Sequence, residues 1–236
     1  MIRQALEQGL ADFGISASVE SIDKLLLYSI RLIEQNKFMN LTAITEPLKV
    51  CELHFLDSAA LLHFHNLKGR SLIDVGTGAG FPGIVLKVLE PSIRLTLLDS
   101  LKKRLDWLSV LCEELELSDV TFLHGRAEEY SHNPKYRDSF DVATARAVAA
   151  LPMLCELCLP YVRSGGTFLA MKTNNDLDEV SLSHEIISTL GGGRAQCIDY
   201  TLPLSGVPRR LLAIPKKIST PSGYPRKWSK IKQAKF

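Results

Sequence analysis

The chain has 236 residues, of which 46% are hydrophobic and 23% charged, an ordinary globular composition with enough length to bury a core. No stretch nears the ~18–20 uninterrupted apolar residues of a membrane span, and Met1-Ile-Arg-Gln-Ala-Leu-Glu-Gln lacks a signal peptide's apolar core, so the expectation is a cytoplasmic protein with no membrane partner. The net charge of +2 is uneven: Lys216, Lys217, Arg226, Lys227, Lys230, Lys232 and Lys235 close the chain with no acid among them, leaving 21 basic against 26 acidic residues in 1–215. Such an end is either an arm for a polyanionic partner or a solvated terminus.

Two helical patterns open the chain. Ile2, Leu6, Leu10 and Phe13 share one face before Gly14, and Ile22, Leu25, Leu26, Ile30 and Ile33 share another within 19–34. They predict an N-terminal helical cap over 1–66. The polar and apolar mixture Asn36-Lys-Phe-Met-Asn-Leu-Thr-Ala-Ile44 reads as a loop set partly against the core. A third helix over 48–64 carries His54, Asp57 and Ser58 on one polar stripe, either solvated or lining a cleft, because the stripe immediately precedes a glycine-rich strand end.

That strand end is Ser71-Leu-Ile-Asp-Val-Gly-Thr-Gly-Ala-Gly-Phe-Pro-Gly83, followed by the apolar run Ile84-Val-Leu-Lys-Val-Leu89. A buried strand, a tight turn and a helix follow, with backbone N–H groups free to approach an anion. Gly78, Gly80 and Gly83 satisfy G-x-G-x-x-G, with Asp99 about 20 residues on, as in a dinucleotide site. Gly76, Gly78 and Gly80 equally satisfy the G-x-G-x-G form of S-adenosylmethionine (SAM) methyltransferases. A glycine turn without a ligand is the third reading.

Strand and helix patterns then alternate. The strands are 93–98 ending at Asp99, 120–123 before Gly125-Arg-Ala-Glu-Glu129, 140–145 ending at Arg146, and 167–171; helices are expected at 102–115, 151–159 and 176–190. This predicts a doubly wound, mostly parallel α/β sheet. Only Pro203 to Pro208 separates the last two extended runs, too few residues for a crossover, so they form an antiparallel hairpin. That ending is the methyltransferase arrangement rather than the dehydrogenase one. One core over 67–215, with the cap before it and a basic tail at 216–236, is the expected organisation.

Five cysteines, an odd number set mostly in apolar segments, suit buried reduced thiols, and Cys155-Glu-Leu-Cys158 lacks the second pair that a zinc site needs, so no metal is expected.

Ligands of an open parallel sheet bind beyond the carboxyl ends of its strands. Asp99 is suited there to the hydroxyls of a ribose, Ala127 and Glu128 to an adenine edge, and Arg146 to the junction of cofactor and substrate. With Gly76 and Gly78 these outline an adenosine joined to a charged amino-acid end.

The pieces Asn40-Leu-Thr-Ala-Ile44, His54-Phe-Leu-Asp-Ser58, Asp74 through Gly83, Leu98-Asp-Ser-Leu-Lys-Lys-Arg104, Gly125-Arg-Ala-Glu-Glu129 and Ala145-Arg-Ala147 resemble the RsmG (GidB) family of bacterial 16S ribosomal RNA guanine-N7 methyltransferases. Lys172 and Tyr224-Pro-Arg226 match more weakly, and Thr173 stands where the family commonly has glycine. The resemblance implies a class I, Rossmann-like methyltransferase with SAM as cofactor and 16S rRNA or a small-subunit precursor as partner. It implies SAM contacts at Gly76, Phe81, Ala127, Glu128 and Arg146. Lys172, Arg209 and Arg226 are the candidate RNA-binding residues, Arg210 and the tail adding charge. Guanine N7 has a lone pair and no proton, so no catalytic acid or base is assigned. The competing expectations are a methyltransferase for a small molecule or protein, a nicotinamide-dependent oxidoreductase, and a non-catalytic RNA-binding protein.

Overall fold

A computed structural model describes residues 1–146, 149–173 and 177–233. Ala147 of the Ala145-Arg-Ala147 piece, Asp176 at the start of an expected helix, and Lys235 and Phe236 of the tail lie outside the described residues. Helices α1 (Ile2–Asp12) and α2 (Val19–Asn36) come first, α2 being capped by Ser18, whose hydroxyl accepts the Ser21 N–H at 3.0 Å. The expected third helix is a composite of α3 (Pro47–Val50), a π-helical turn (Cys51–Leu56) and α4 (Asp57–Phe64). The alternating part follows as β1 (Ser71–Val75), α5 (Gly83–Leu89), β2 (Arg94–Asp99), α6 (Lys102–Glu114), β3 (Val120–His124), α7 (Ala127–Tyr130), β4 (Phe140–Arg146), α8 (Leu151–Cys158) and β5 (Val162–Thr173). Then come α9 (Leu177–Leu182), α10 (His184–Thr189), β6 (Gln196–Thr201), β7 (Pro208–Pro215) and α11 (Trp228–Gln233).

The seven strands form one sheet in the order β3-β2-β1-β4-β5-β7-β6. The first five pair in parallel, and β7 runs antiparallel to both β5 and β6. The order reverses at β1, so the ends of β1 and β4 diverge into a crevice, the usual ligand position in such sheets.

Both faces are apolar, as the alternation of strand side chains requires. Leu72, Leu169, Leu211 and Ala213 face a core shared with α1, α2, α5 and α6, while Ile73, Phe168, Leu212 and Ile214 face one shared with α8, α10 and α11. The N-terminal helices thus contribute Leu6, Leu10, Leu25 and Leu32, all essentially unexposed, to the first core. Burying each such leucine contributes on the order of 2 kcal/mol. Among the described residues no helix is long and apolar enough to cross a membrane.

The basic tail, left by the sequence as either an arm for a polyanionic partner or a solvated terminus, packs on the body at several points as far as residue 233. Lys216 is buried, with Nζ 2.6 Å from Leu159 O and 3.1 Å from Asp138, and burial pushes its ammonium pKa down. Arg137 binds Thr220 O and Tyr224 O, and Ile231 packs into the second core. Lys217, Lys227, Lys230 and Lys232 are the tail's exposed cations among the described residues. A run of lysines looks like a tail in sequence because its spaced anchors, Tyr224, Trp228 and Ile231, are few.

Candidate cofactor and substrate site

The glycine loop is built around a buried acid. Asp74 Oδ2 accepts the Thr77 hydroxyl at 2.7 Å and the Gly83 N–H at 2.9 Å, while Oδ1 has no donor among the described residues. Burial pushes this carboxyl up to about 7, against the lowering effect of those two bonds. Gly76 and Gly78 have φ of 72° and 59°, a region that side-chain-bearing residues rarely enter. The turn so formed lets the N–H groups of Gly76 and Thr77 reach Leu98 O at 2.8 and 3.1 Å, fastening the loop to the end of β2. A Cβ on Gly83 would lie 2.9 Å from both Asp74 Oδ2 and Leu97 Cδ2, so that glycine serves the packing of α5 on the sheet.

At the next strand end Asp99 is nearly buried, and its carboxylate is already engaged. Oδ1 accepts the Leu101 N–H at 2.8 Å; Oδ2 accepts the Gly78 N–H at 2.9 Å and faces Arg104 at 3.4 Å. The expected ribose acceptor therefore also holds the loop, with few lone-pair directions to spare. Gly125 N–H donates to Asp99 O at 3.1 Å and draws the end of β3 alongside. Beyond it Ala127 opens α7, so its N–H has no partner in the preceding turn, and its carbonyl accepts the Tyr161 hydroxyl at 2.6 Å. The Glu128 carboxylate is almost buried and accepts no hydrogen bond from the described residues.

Arg146 ends β4. Its guanidinium carbon lies 4.8 Å over the Phe81 ring, Nη1 donates to Leu53 O at 3.0 Å and approaches Asp57 at 3.4 Å, and Nη2 is 3.1 Å from His54 Nδ1. Phe81 in turn stacks with His54 at 4.5 Å and Tyr28 at 5.2 Å. Tyr28 is fully buried and donates its hydroxyl to Ala79 O, which ties α2 to the glycine loop. Burial first, and the Arg146 charge second, lower the His54 pKa to about 3, so this imidazole is neutral.

Beside Arg146 opens a cleft of about 330 Å³ lined in part by His54, Asp57, Met171, Lys172 and Arg209. Strand pairing sets Thr173 at the end of β5 opposite Arg209 near the start of β7, which brings both basic positions to the same end of the sheet as Arg146. Each cation faces an acid: Lys172 pairs with Glu179 at 2.7 Å and Arg209 with Asp57 at 3.4 Å. Asp57 also accepts the Tyr200 hydroxyl at 2.9 Å, and burial beside that carboxylate raises the phenol's pKa.

The structure thus lines up Gly76, Gly78, Phe81, Asp99, Ala127, Glu128 and Arg146 along the ends of β1 to β4, and adds Lys172 and Arg209 beyond them. It does not bring Arg226 there. That side chain forms a bidentate pair with fully buried Glu156 of α8, Nη2 to Oε2 at 2.6 Å, on the other face of the sheet. Arg210 is likewise engaged, with Asp199 at 2.6 Å. The Ser58 hydroxyl turns away from the cleft to His54 O, leaving His54 and Asp57 as the stripe's contribution. Tyr200 carried no signal in the sequence, and Thr42 entered only as part of Asn40-Leu-Thr-Ala-Ile44, with nothing to mark its pairing, since their partners stand 143 and 12 residues away.

Comparison with known proteins gives a consistent match. The sequence model of the family described as rRNA small subunit methyltransferase G matches residues 21–199. The ribosomal RNA small subunit methyltransferase G of Acetivibrio thermocellus is 43% identical over 229 residues, 97% of this chain and 94% of that protein. Its counterpart in Alkaliphilus metalliredigens is 45% identical over 226 residues, 95% of each chain. Among solved structures, an O-methyltransferase from Bacillus cereus in complex with SAH superposes with a TM-score of 0.57 at 20% identity, covering 92% of this chain and all of that one. TrmN from Thermus thermophilus gives 0.54 at 18% identity, covering 83% and 53%. These two likenesses establish a shared fold.

Proposed function

Because this chain belongs to the rRNA small subunit methyltransferase G family, we propose that it transfers the methyl group of SAM to N7 of a guanosine in 16S rRNA, on the small ribosomal subunit or its precursor. That substrate assigns its work to the cytoplasm. The observation that carries the reading is the position of Arg146, which touches the glycine loop through Phe81 and lines the cation-bearing cleft with Lys172 and Arg209. One side chain thus belongs to both halves of a two-substrate site.

The residues present fit SAM. Gly76 and Gly78 hold a left-handed turn at the end of β1, and Ala127 and Glu128 offer an N–H and a carboxylate that the fold leaves to a ligand. Bound there, SAM would supply an electrophilic methyl group on a sulfonium; the guanine N7 lone pair would take it as the carbon–sulfur bond breaks and the neutral thioether S-adenosylhomocysteine leaves, with no proton to remove. The chain's task is then to align and to hold. In this reading the Phe81 ring walls the methionine side, Asp99 and Glu128 hold the nucleoside side, and Arg146 is a fixed planar donor where the two substrates meet. Lys172 and Arg209 bind phosphates of the RNA. Asp57 and Glu179 offset those cations, which limits repulsion of the positive charge that guanine acquires on methylation.

The test is mass spectrometry of nucleosides from 16S rRNA of a strain lacking this gene, after incubation with the purified protein and labelled SAM. Labelled 7-methylguanosine is expected. Its absence from both naked RNA and small subunits would remove this reading.

A further inference from the structure

His54 has two polar neighbours and one hydrogen to give. Arg146 is always a donor, so with Nη2 at 3.1 Å from Nδ1 the ring must accept there. The neutral imidazole therefore carries its hydrogen on Nε2 and donates it to Thr42 Oγ1 at 2.8 Å. Thr42 Oγ1 also accepts the Ile44 N–H at 3.0 Å. The loop around Thr42 is itself cinched by Asn36, whose Oδ1 accepts the N–H groups of Leu41 and Thr42 at 2.8 and 2.9 Å. Asn36 Nδ2 donates to Thr42 O at 2.9 Å.

The ring plane is fixed as well, since it stacks on Phe81 at 4.5 Å and 21°. The π-helical turn supplies the angle. Asp57 N–H reaches back five residues to Glu52 O, and within that widened turn Leu53 O and His54 Nδ1 both face the Arg146 guanidinium. One turn of helix therefore offers two acceptors to two different nitrogens of a single side chain, which sets its orientation as well as its place.

We propose that His54 is a positioning residue, gripping Arg146 through Nδ1 and tying that grip to the Asn40-Leu-Thr42 loop through Nε2–H. Its activity consequence rests on the methyltransferase reading. Its chemistry is passive: no proton leaves the ring during turnover, and its contribution is the alignment of a guanidinium whose misplacement costs rate out of proportion to the distance moved. Thr42 is the second member of the device, and Asn36 the clamp that keeps Thr42 in reach.

The test separates the two bonds. His54→Asn keeps a side-chain oxygen near the place of Nδ1 and cannot reach Thr42; His54→Gln keeps an amide donor near the place of Nε2 and offers nothing at Nδ1. Methyl transfer to small-subunit RNA is expected to fall about threefold in His54→Asn and about tenfold or more in His54→Gln, mainly in kcat, with similar melting temperatures for the two. Thr42→Val is expected to lower the rate about threefold alone and to add nothing to His54→Asn, which has already lost that bond. Equal losses in the two histidine variants, losses that follow melting temperature, or multiplying effects of Thr42→Val and His54→Asn would overturn the proposal. Nitrogen-15 spectra of the imidazole give a readout independent of activity: a hydrogen on Nε2 and none on Nδ1 is expected, and the reverse tautomer would overturn it. If the unmodified chain transfers no methyl group, the methyltransferase reading fails, while the spectra still decide the role of His54.

Discussion

Asp74 and His54 are both buried beside the glycine loop, and burial drives them in opposite directions, the carboxyl up to about 7 and the imidazole down to about 3. Between pH 4 and 6.5 the unfolded chain carries a proton on the histidine and the folded chain carries one on the aspartate. The stability that a raised carboxyl contributes is present below pH 4 and lost as pH rises to 7. That of a depressed histidine is present above pH 6.5 and lost as pH falls toward 3. The two slopes cancel across the shared window. Each single variant should expose the other: His54→Asn should make stability fall as pH rises from 4 to 7, and Asp74→Asn should make it rise toward 6.5, each with a limiting slope of about 1.4 kcal/mol per pH unit. Denaturant unfolding at pH 4.5, 5.5 and 6.5 measures this. A flat curve for either variant would show that the group it retains titrates normally.

The glycine loop gives a second prediction. Gly76 sits at φ 72°, where a β-branched residue is strongly disfavoured, and its N–H holds the loop to Leu98 O at 2.8 Å. Gly76→Val must either strain the turn or release it, and both move the backbone that faces the cofactor. SAM affinity measured by calorimetry should drop by about a hundredfold or more, with a lower melting temperature of a chain that still folds, since strain of this kind costs about 1–3 kcal/mol. Affinity near that of the unmodified chain would take the methionine end of SAM away from Gly76.

The alternation of strand and helix after the glycine loop and the closing hairpin were legible because they rest on local patterns: apolar runs, glycines at a turn, and a linker too short for a crossover. That Asp99, Ala127, Glu128 and Arg146 share one end of the sheet was legible for a related reason, since topology alone carries every parallel strand's end to one side. What stayed hidden was pairing between distant side chains. Nothing in the string marks Arg226 as the partner of Glu156, 70 residues away, or Thr42 as the partner of His54. A basic residue in a basic tail reads as a solvated charge until the buried acid that claims it is seen. The interruption of the third helix by a π turn was equally silent, although it is what aims His54 and Leu53 O at Arg146.

Arg209 is the cation to remove when testing RNA binding. Its guanidinium lines the cleft and pairs with Asp57 at 3.4 Å, and among the described residues no hydrogen bond or ion pair joins it to the glycine loop. Arg209→Ala should weaken binding to small-subunit RNA while leaving SAM affinity unchanged, and it should reduce the magnitude of the log–log salt slope by about 1 if the side chain neutralises one phosphate. Filter binding over a salt series reads both quantities. An unchanged slope would mean that Arg209 meets no phosphate and serves Asp57 alone.

Arg226 should behave in the opposite way. Its Nε and Nη2 close on Glu156, a carboxylate with 0% exposure, at 2.9 and 2.6 Å, so the guanidinium neutralises a charge inside the fold. Arg226→Ala leaves that carboxylate without its counter-charge, although the backbone N–H of residue 226 at 2.7 Å from Oε1 is retained. The expected loss is about 3 kcal/mol of stability, near the lower end for breaking a buried pair from one side. Removing both partners, as in Arg226→Met with Glu156→Met, should recover most of it, because the cost lies in the stranded charge rather than in the lost attraction. RNA affinity per folded molecule should be unaltered in the double variant. A double variant that is stable but binds RNA several-fold less tightly would return Arg226 to the RNA-contacting residues; one that binds normally would confine RNA contacts at this end of the chain to the exposed Lys217, Lys227, Lys230 and Lys232 among the described residues.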